Sequence, residues 1–393
     1  MAGKETNGVA LAINFPPQTE KETGSIKAVQ SLGGPTLAKE VVIHEKVEAA
    51  VPAKEEKCDT QLEGVAVLVK EEKDDRFGNQ PTVTLNSGRK MPLLGTGTAC
   101  FPLPPIEDLK KAILDAMEVG YRHFDSAASY QSEEGLGVAI AEALEKGLIK
   151  SRDELFITTK LWCNNACPER VLPAIRESLR KLRLEYVDLY LIHFPARFKE
   201  EILEMPCVKD DMLPFDMKST WEAMEEVNKL GLAKSIGVSN LTCKKLTDLL
   251  AHAKIPPAVN QVEMHPVWQQ KKLRDFYAEK GIHVSAYSPL GAKEWGFDVV
   301  LGNALLIDIA RAKGKSVAQI ALRWGFQQGV SLIPKSFNKG RLKQNFAILD
   351  WQLTEEELQQ IGTIPQKRIM ITPEFIFPDG IFKSPEELWD GEM

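Results

Sequence analysis

From Thr82 onward the chain alternates two patterns. Apolar runs at 93–97, 122–125, 155–161, 187–194, 235–239, 259–265, 283–289 and 331–335 read as strands. Between them apolar residues recur at helical spacing. Leu109, Ile113, Ala116 and Met117 form one such set, and Val171, Ile175, Leu179 and Leu182 another. That spacing puts each set on one face of a helix. Ahead of the first run, Val83-Thr84-Leu85, Asn86-Ser87-Gly88 and the apolar stretch 91–94 read as a β-hairpin with a glycine in its turn. Eight strands, each followed by helix, is the count for an α/β chain folded as a (β/α)8 TIM barrel. The runs are nearly all apolar, as strands buried on both faces must be. A doubly wound sheet would instead bring a glycine fingerprint after its first strand. Gly95-Thr96-Gly97 is followed by Cys100 where that fingerprint needs Gly, and Gly135-Leu136-Gly137 by Ile140. The first reads as a tight turn and the second as a helix–sheet contact. A nucleotide, if one binds, is held without that loop.

Residues 1–76 differ from the barrel region 77–393. Phe15 is their only aromatic residue, and Lys and Glu are mixed with small side chains. So few bulky groups cannot offset the entropy of ordering, so this N-terminal extension is expected to be largely disordered. The formal net charge of -6 gives no basic footprint for nucleic acid or an anionic membrane. No apolar run approaches the roughly 18 residues of a membrane span, and 10–13 is too short for a signal-peptide core. The six cysteines, at 58, 100, 163, 167, 207 and 243, fit reduced thiols in a cytoplasmic protein. Cys163 and Cys167 have no second ligand pair at zinc-finger spacing, so they read as thiols near a pocket and not as a metal site.

In such a barrel the chemistry sits at the C-terminal ends of the strands. The second run ends in Asp125, with Tyr130 in the following loop. The third reaches Lys160, with Trp162 beyond, and the fourth ends in His193 and Phe194. Taken singly, each polar residue has a structural explanation: a buried ion pair, a tyrosine at the rim, a core histidine. Together at one rim they form a proton donor for a carbonyl. A phenol with a pKa of about 10 is too weak an acid near neutrality. A lysine beside it is expected to lower that value, with an aspartate holding the lysine charged, and a histidine can orient the substrate oxygen. Reduction also needs a hydride, which side chains do not supply, so a nicotinamide cofactor is implied.

His123-Phe124-Asp125-Ser126-Ala127 followed by Tyr130 resembles the signature of the aldo-keto reductase family. Ile333-Pro334-Lys335-Ser336 followed by Arg341 and Asn345 resembles that family's adenosine-phosphate motif. The likeness runs from about residue 80 to the C-terminus. Stretches such as Glu386-Glu387-Leu388-Trp389-Asp390 are similar to its plant branch, which includes codeinone reductase, chalcone (polyketide) reductase, methylecgonone reductase and deoxymugineic acid synthase.

The resemblance implies that Tyr130 is the general acid, Lys160 and Asp125 its tuning pair, and His193 the carbonyl-orienting group. It implies NADPH/NADP+ as cofactor. Ser239, Asn240 and Gln261 would contact the nicotinamide amide, and Tyr287 would stack on its ring. Ser288 and Leu290 would lie on the pyrophosphate side. Lys335, Ser336 and Arg341 would hold the 2′-phosphate, with Asn345 at the adenine. Thr98, Asp125, Phe337 and Gln344 complete the implied cofactor set. The substrate pocket would comprise Trp162, His193, Phe194 and Trp295.

The chain departs from the family pattern at four places: Ala99 and Phe194 stand where tryptophans are common, and Gly340 and Gln344 where glutamates are. The first two bear on substrate choice and the last two on cofactor grip. Substrate specificity is expected from the rim segments 198–215, 292–297 and 368–389, which carry Trp295, Phe297, Phe375 and Phe377. These point to an apolar ketone or aldehyde, reduced by a monomer. The competing functions are an NADPH-binding sensor or regulatory subunit with little turnover and a catalytically decayed paralogue; the presence of both Tyr130 and Lys160 weighs against decay, and turnover of a generic aldehyde separates enzyme from sensor.

Overall fold

In a computed structural model, the structure describes residues 72–393 apart from 74, 204, 206 and 293–295. The disorder expected of the extension lies outside the described residues for positions 1–71 and 74, while 72–73 and 75–76 are folded; the pocket role expected of Trp295 also lies outside them.

Three short strands come first: β1 (Glu72–Lys73), β2 (Pro81–Thr84) and β3 (Lys90–Pro92). They pair antiparallel in that order, so the expected hairpin gains a third strand from within the segment read as extension. Met91 of β3, with Phe77 and Leu85 from the turns beside β2, packs against Phe156, Leu189, Leu191 and Val259, plugging the barrel floor.

The barrel strands are β4 (Thr96–Gly97), β5 (His123–Asp125), β6 (Phe156–Leu161) and β7 (Val187–Ile192), then β10 (Ala233–Ser239), β11 (Val259–Glu263), β12 (His283–Tyr287) and β13 (Ser331–Ile333). Between them a small antiparallel pair, β8 (Arg197–Phe198) with β9 (Met212–Leu213), stands on the rim. All eight barrel strands run parallel, in the spatial order β13-β12-β11-β10-β7-β6-β5-β4. The ring closes where Leu332 N donates to Leu93 O (2.8 Å), Gly95 N to Leu332 O (2.8 Å) and Gly97 N to Pro334 O (3.1 Å). The (β/α)8 barrel is thus present, and Gly95-Thr96-Gly97 is its closing strand, not a tight turn.

The helices surround it: α1 (Ile106–Val119), α2 (Glu133–Glu145), α3 (Pro168–Leu182), α4 (Met217–Lys229), α5 (Cys243–Leu250), α6 (Lys271–Glu279), α7 (Ala304–Lys313), α8 (Val317–Gln327), α9 (Lys339–Phe346), α10 (Glu355–Gly362) and α11 (Pro385–Leu388). Their inner faces are those the spacing gives. Leu109, Ile113, Ala116 and Met117 of α1, and Val171, Ile175, Leu179 and Leu182 of α3, are buried. Each of the Leu, Ile, Val and Met side chains among them contributes on the order of 1.5–3 kcal/mol by leaving water. Helix α1 stops at Gly120, whose φ of 118° suits glycine and whose N–H returns to Ala116 O and Met117 O. A Cβ on Gly137 would lie 2.6 Å from Lys181 O. That glycine therefore serves close packing of α2 on α3, a helix–helix contact and not the helix–sheet contact its sequence suggested. No helix among the described residues is long and apolar enough to cross a membrane.

Candidate active site

Parallel strands deliver their ends and the loops that follow to one rim, and four residues build a polar cluster there. Asp125 ends β5. Lys160 lies near the end of β6, a strand buried at all six positions, and its side chain has no exposure. Its Nζ donates to Asp125 Oδ1 (2.5 Å), Ser126 O (2.8 Å) and Tyr130 OH (3.4 Å). Three acceptors match the three N–H bonds of an ammonium. Tyr130 closes a short 3-10 turn, Ala128–Tyr130, that begins three residues beyond β5. Its phenol also lies 3.3 Å from His193 Nε2. His193 follows β7 and is fixed by its own N–H to Leu161 O (3.1 Å). Ser129 Oγ sits 3.4 Å from His193 Nδ1. A hydroxyl donated there leaves the imidazole proton on Nε2, facing the phenol.

The charges follow from burial. Burial pushes the Tyr130 phenol well up, and the Asp125 charge pushes it further the same way. The lowering expected from Lys160 does not prevail, because burial and the Asp125 charge set the direction of the shift. Burial pulls Lys160 down, against the Asp125 carboxylate, which raises it. His193 is held well below its ordinary value, by burial first and the Lys160 charge second. Near neutrality the rim therefore presents a phenol O–H and a neutral imidazole N–H.

A second network supports the first. Gln261 Nε2 donates to Asp125 Oδ2 (2.8 Å), while Gln261 O accepts from Ser239 Oγ (2.7 Å) and Asn240 N (3.0 Å). Asn240 Nδ2 donates to His193 O (3.0 Å), and its Oδ1 accepts from Tyr287 OH (2.8 Å). Ser239, Asn240, Gln261 and Tyr287 are thus brought together beside the Asp125–Lys160 pair. Asn240 and Ser288 hold φ of 61° and 48°, left-handed values that asparagine tolerates and serine rarely adopts. Both lie directly after barrel strands, β10 and β12, where the backbone must turn sharply at the rim. Thr98 and Ser126 converge on Ser132, at 2.7 and 2.9 Å between hydroxyl oxygens, a support the sequence reading missed. Leu290 is half-buried nearby in the chain and packs on the main core.

Lys335, Ser336 and Phe337 lead from β13 into α9. Ser336 Oγ accepts from Asn338 N (3.2 Å) and Arg341 Nε (3.3 Å). Asn338 caps α9 through Arg341 N (3.0 Å). The first turn of α9 holds no acid, and Lys339 is engaged by Glu118 and Asp115. Lys335 Nζ lies 5.6 Å from the Phe337 ring centre. Cations at a helix N-terminus suit a phosphate. Asn345 is buried on α9, and Gln344 lends its carbonyl to Gln319 Nε2 (3.1 Å). A buried amide and hydroxyl set at one end and a cationic helix start at the other fit NADPH.

The pocket wall is aromatic. Trp162 packs edge-on to His193 (5.1 Å between ring centres), and Phe194 meets Phe375 at 5.0 Å. Phe198 meets Phe375 at 5.3 Å and Trp162 at 6.0 Å. Trp162, His193 and Phe194 are together as expected. Phe198 and Phe375 were legible only as members of rim segments. Cys163 packs into the same cluster, and burial pushes its thiol well up.

Residues 93–365 match a model of the Aldo/keto reductase family. The 7-acetyl-epi-neemfruitin B aldo-keto reductase of Melia azedarach is 57% identical over 316 residues, which cover 80% of this chain and 98% of that protein. Deoxymugineic acid synthase 1 of Oryza sativa subsp. japonica is 53% identical over 309 residues, covering 78% and 97%. The crystal structure of a Bombyx mori aldo-keto reductase in complex with NADP superposes with a TM-score of 0.70 at 38% identity, covering 77% of this chain and 97% of that one.

Proposed function

The chain belongs to the aldo/keto reductase family, an NADPH-dependent oxidoreductase, and we propose that it reduces a bulky apolar ketone or aldehyde of specialised metabolism with Tyr130 as the proton donor. The observation that carries this reading is the place of the Tyr130 hydroxyl. It lies 3.4 Å from Lys160 Nζ and 3.3 Å from His193 Nε2, beside a wall of aromatic rings.

Bound NADPH supplies the hydride. Ser239, Asn240, Gln261 and Tyr287 would hold its nicotinamide end, Ser288 and Leu290 the pyrophosphate side, with Thr98 and Asp125 close by. Lys335, Ser336, Phe337, Arg341, Gln344 and Asn345 would hold the adenosine phosphate. His193 Nε2–H hydrogen-bonds the carbonyl oxygen and aims it at the phenol. Tyr130 keeps its proton near neutrality because its pKa is raised, and it gives that proton up as negative charge grows on the substrate oxygen. The phenolate left behind is 3.4 Å from the Lys160 ammonium, so the cation acts on charge that develops during reaction. Trp162, Phe194, Phe198 and Phe375 keep water from the reacting oxygen.

The named substrate of the Melia azedarach relative supports a specialised metabolite, and the aromatic wall supports apolar bulk. The five described cysteines are free thiols, which supports a cytoplasmic site of action. Incubation with NADPH and a panel of ketones and aldehydes graded in size tests the reading. Consumption of NADPH with alcohol formation, greatest for the bulky apolar members, is expected. NADPH binding without consumption for any member would favour the sensor instead.

A further inference from the structure

The chain leaves the barrel at 367–371 and returns to it at 389–392, and the segment between carries Phe375 to the pocket wall. Several contacts close the neck of this loop. Ile369 N and Met370 N donate to the two oxygens of buried Glu263 (both 2.9 Å) at the end of β11. Trp389 Nε1 donates to Ile371 O (3.2 Å), joining the outgoing and returning strands of the neck. Arg368 lies at the centre. It is 6% exposed, and its guanidinium carbon stands 3.8 Å from the Trp389 ring centre and 5.0 Å from that of Trp268. Its Nη2 donates to Glu392 O (2.9 Å). One planar cation therefore touches the barrel side, through Trp268, and the returning chain, through Trp389 and Glu392.

We propose that Arg368 is a positioning residue for substrate selection: by closing this neck it holds Phe375 as a fixed wall of the pocket before substrate arrives. The guanidinium touches none of the reacting groups. The closed neck converts a chain end into a loop tethered at both sides. An open neck would leave the wall to be ordered by each substrate, and that ordering would subtract from the binding of every carbonyl that uses the wall. Carbonyls too short to reach Phe375 would not notice. Arg368 thus acts on the difference between substrates and not on the chemistry. A planar guanidinium suits a slot between two indoles, which an ammonium cannot fill. The kinetic part of this inference rests on the carbonyl-reductase reading; the structural part does not.

The test combines hydrogen exchange and kinetics on the full chain. In Arg368→Met, amide exchange in 372–388 is expected to accelerate about ten-fold or more while the barrel strands keep their protection. The ratio of kcat/KM for an aryl ketone to that for a short-chain aldehyde is expected to shrink about five-fold or more, through KM of the ketone. Arg368→Lys should fall between the two proteins. Phe375→Ala, which removes the wall and leaves the neck, should shrink the same ratio without the faster exchange. Unchanged exchange in Arg368→Met overturns the proposal. So does faster exchange with the ratio intact, or a parallel loss for both substrates. If the unaltered protein reduces neither carbonyl, the functional reading fails, and the exchange arm still decides whether Arg368 closes the loop.

Discussion

The phenol oxygen of Tyr130 lies 3.3 Å from Nε2 of His193, with the two rings edge-on at 81°. The phenol is thereby presented to the same point in the pocket as the imidazole N–H. Tyr130→Phe removes the proposed proton donor and keeps the ring. Turnover of any carbonyl should fall about 10²–10⁴-fold, the range for a general acid, while quenching of protein fluorescence by NADPH persists. Near-normal turnover would exclude Tyr130 as the donor.

Lys160 is wholly buried against Asp125, so Lys160→Met leaves a buried carboxylate without its cation. A loss of about 3–5 kcal/mol in unfolding free energy is expected from denaturant titration. Adding Asp125→Asn should recover most of the stability and none of the turnover. The direction of the pH effect also follows. Reduction needs the protonated phenol, so activity falls as pH rises through the phenol pKa. Removing the neighbouring cation raises that pKa further, so the alkaline limb of any residual activity moves up. An unmoved limb would mean that Lys160 does not act on the phenol.

His123 is buried in the barrel with Nδ1 3.1 Å from Pro92 O, and burial brings its pKa down to about 4. The unfolded chain takes up a proton near pH 6.5, and the folded chain does not until about pH 4. Stability contributed by the neutral ring is therefore full above pH 6.5 and is lost as pH falls toward 4. His193 has the same sign. Melting temperature should drop between pH 6.5 and 4.5, above the range where most carboxylates titrate, and His123→Asn should flatten that slope. An identical slope in the variant would remove His123 from the account.

The barrel and the polar cluster at its rim were readable because both obey short-range rules. All eight runs became strands, and Asp125, Lys160 and His193 stood out as polar residues ending apolar runs, with Tyr130 in the loop after the first of them. What was not readable depends on distance and on burial. Cys207 and Glu374 are joined across 167 positions, and no periodicity reports that 198–215 and 368–389 meet over Phe375. The direction of the Tyr130 shift turned on whether burial and Asp125 outweigh Lys160, which only the packed geometry decides. Gly137 looked like a sheet contact because sequence shows a small residue without showing its neighbour.

Truncation separates the extension from the barrel floor. The Melia azedarach relative is matched over 98% of its length by 80% of this chain, so that reductase needs no counterpart of the rest. Removing residues 1–71 should leave kinetic constants nearly unchanged. Removing residues 1–88 also strips Phe77 and Leu85 from the floor, where they are 2% and 3% exposed. The two side chains should cost about 3–6 kcal/mol in unfolding free energy. Equal stability of the two truncated proteins would show that the floor does not depend on these residues.

Cofactor choice rests on the start of α9. Asn338 caps the helix through Arg341 N, and Arg341 Nε reaches Ser336 Oγ at 3.3 Å, so the guanidinium is held beside the helix N-terminus. Lys335 follows β13 two positions after its last residue, with the helix only a few residues on. Lys339 is paired with Glu118 and Asp115 and so does not compete for a phosphate. A 2′-phosphate placed here would meet a cation and helix N–H groups together, and the first turn of α9 offers no acid to grip a free ribose hydroxyl pair. NADPH should therefore bind much more tightly than NADH. Arg341→Met should weaken NADPH by about 1.5–3 kcal/mol, the range for a hydrogen bond to a charged group, and leave NADH almost untouched. Helix α9 should persist in the variant, because the cap uses the Arg341 backbone and not its side chain. Titrating both cofactors against both proteins by fluorescence decides the matter. Equal losses for NADPH and NADH would mean that Arg341 supports the fold of the site and not the phosphate. No loss for either would leave Arg341 a surface charge.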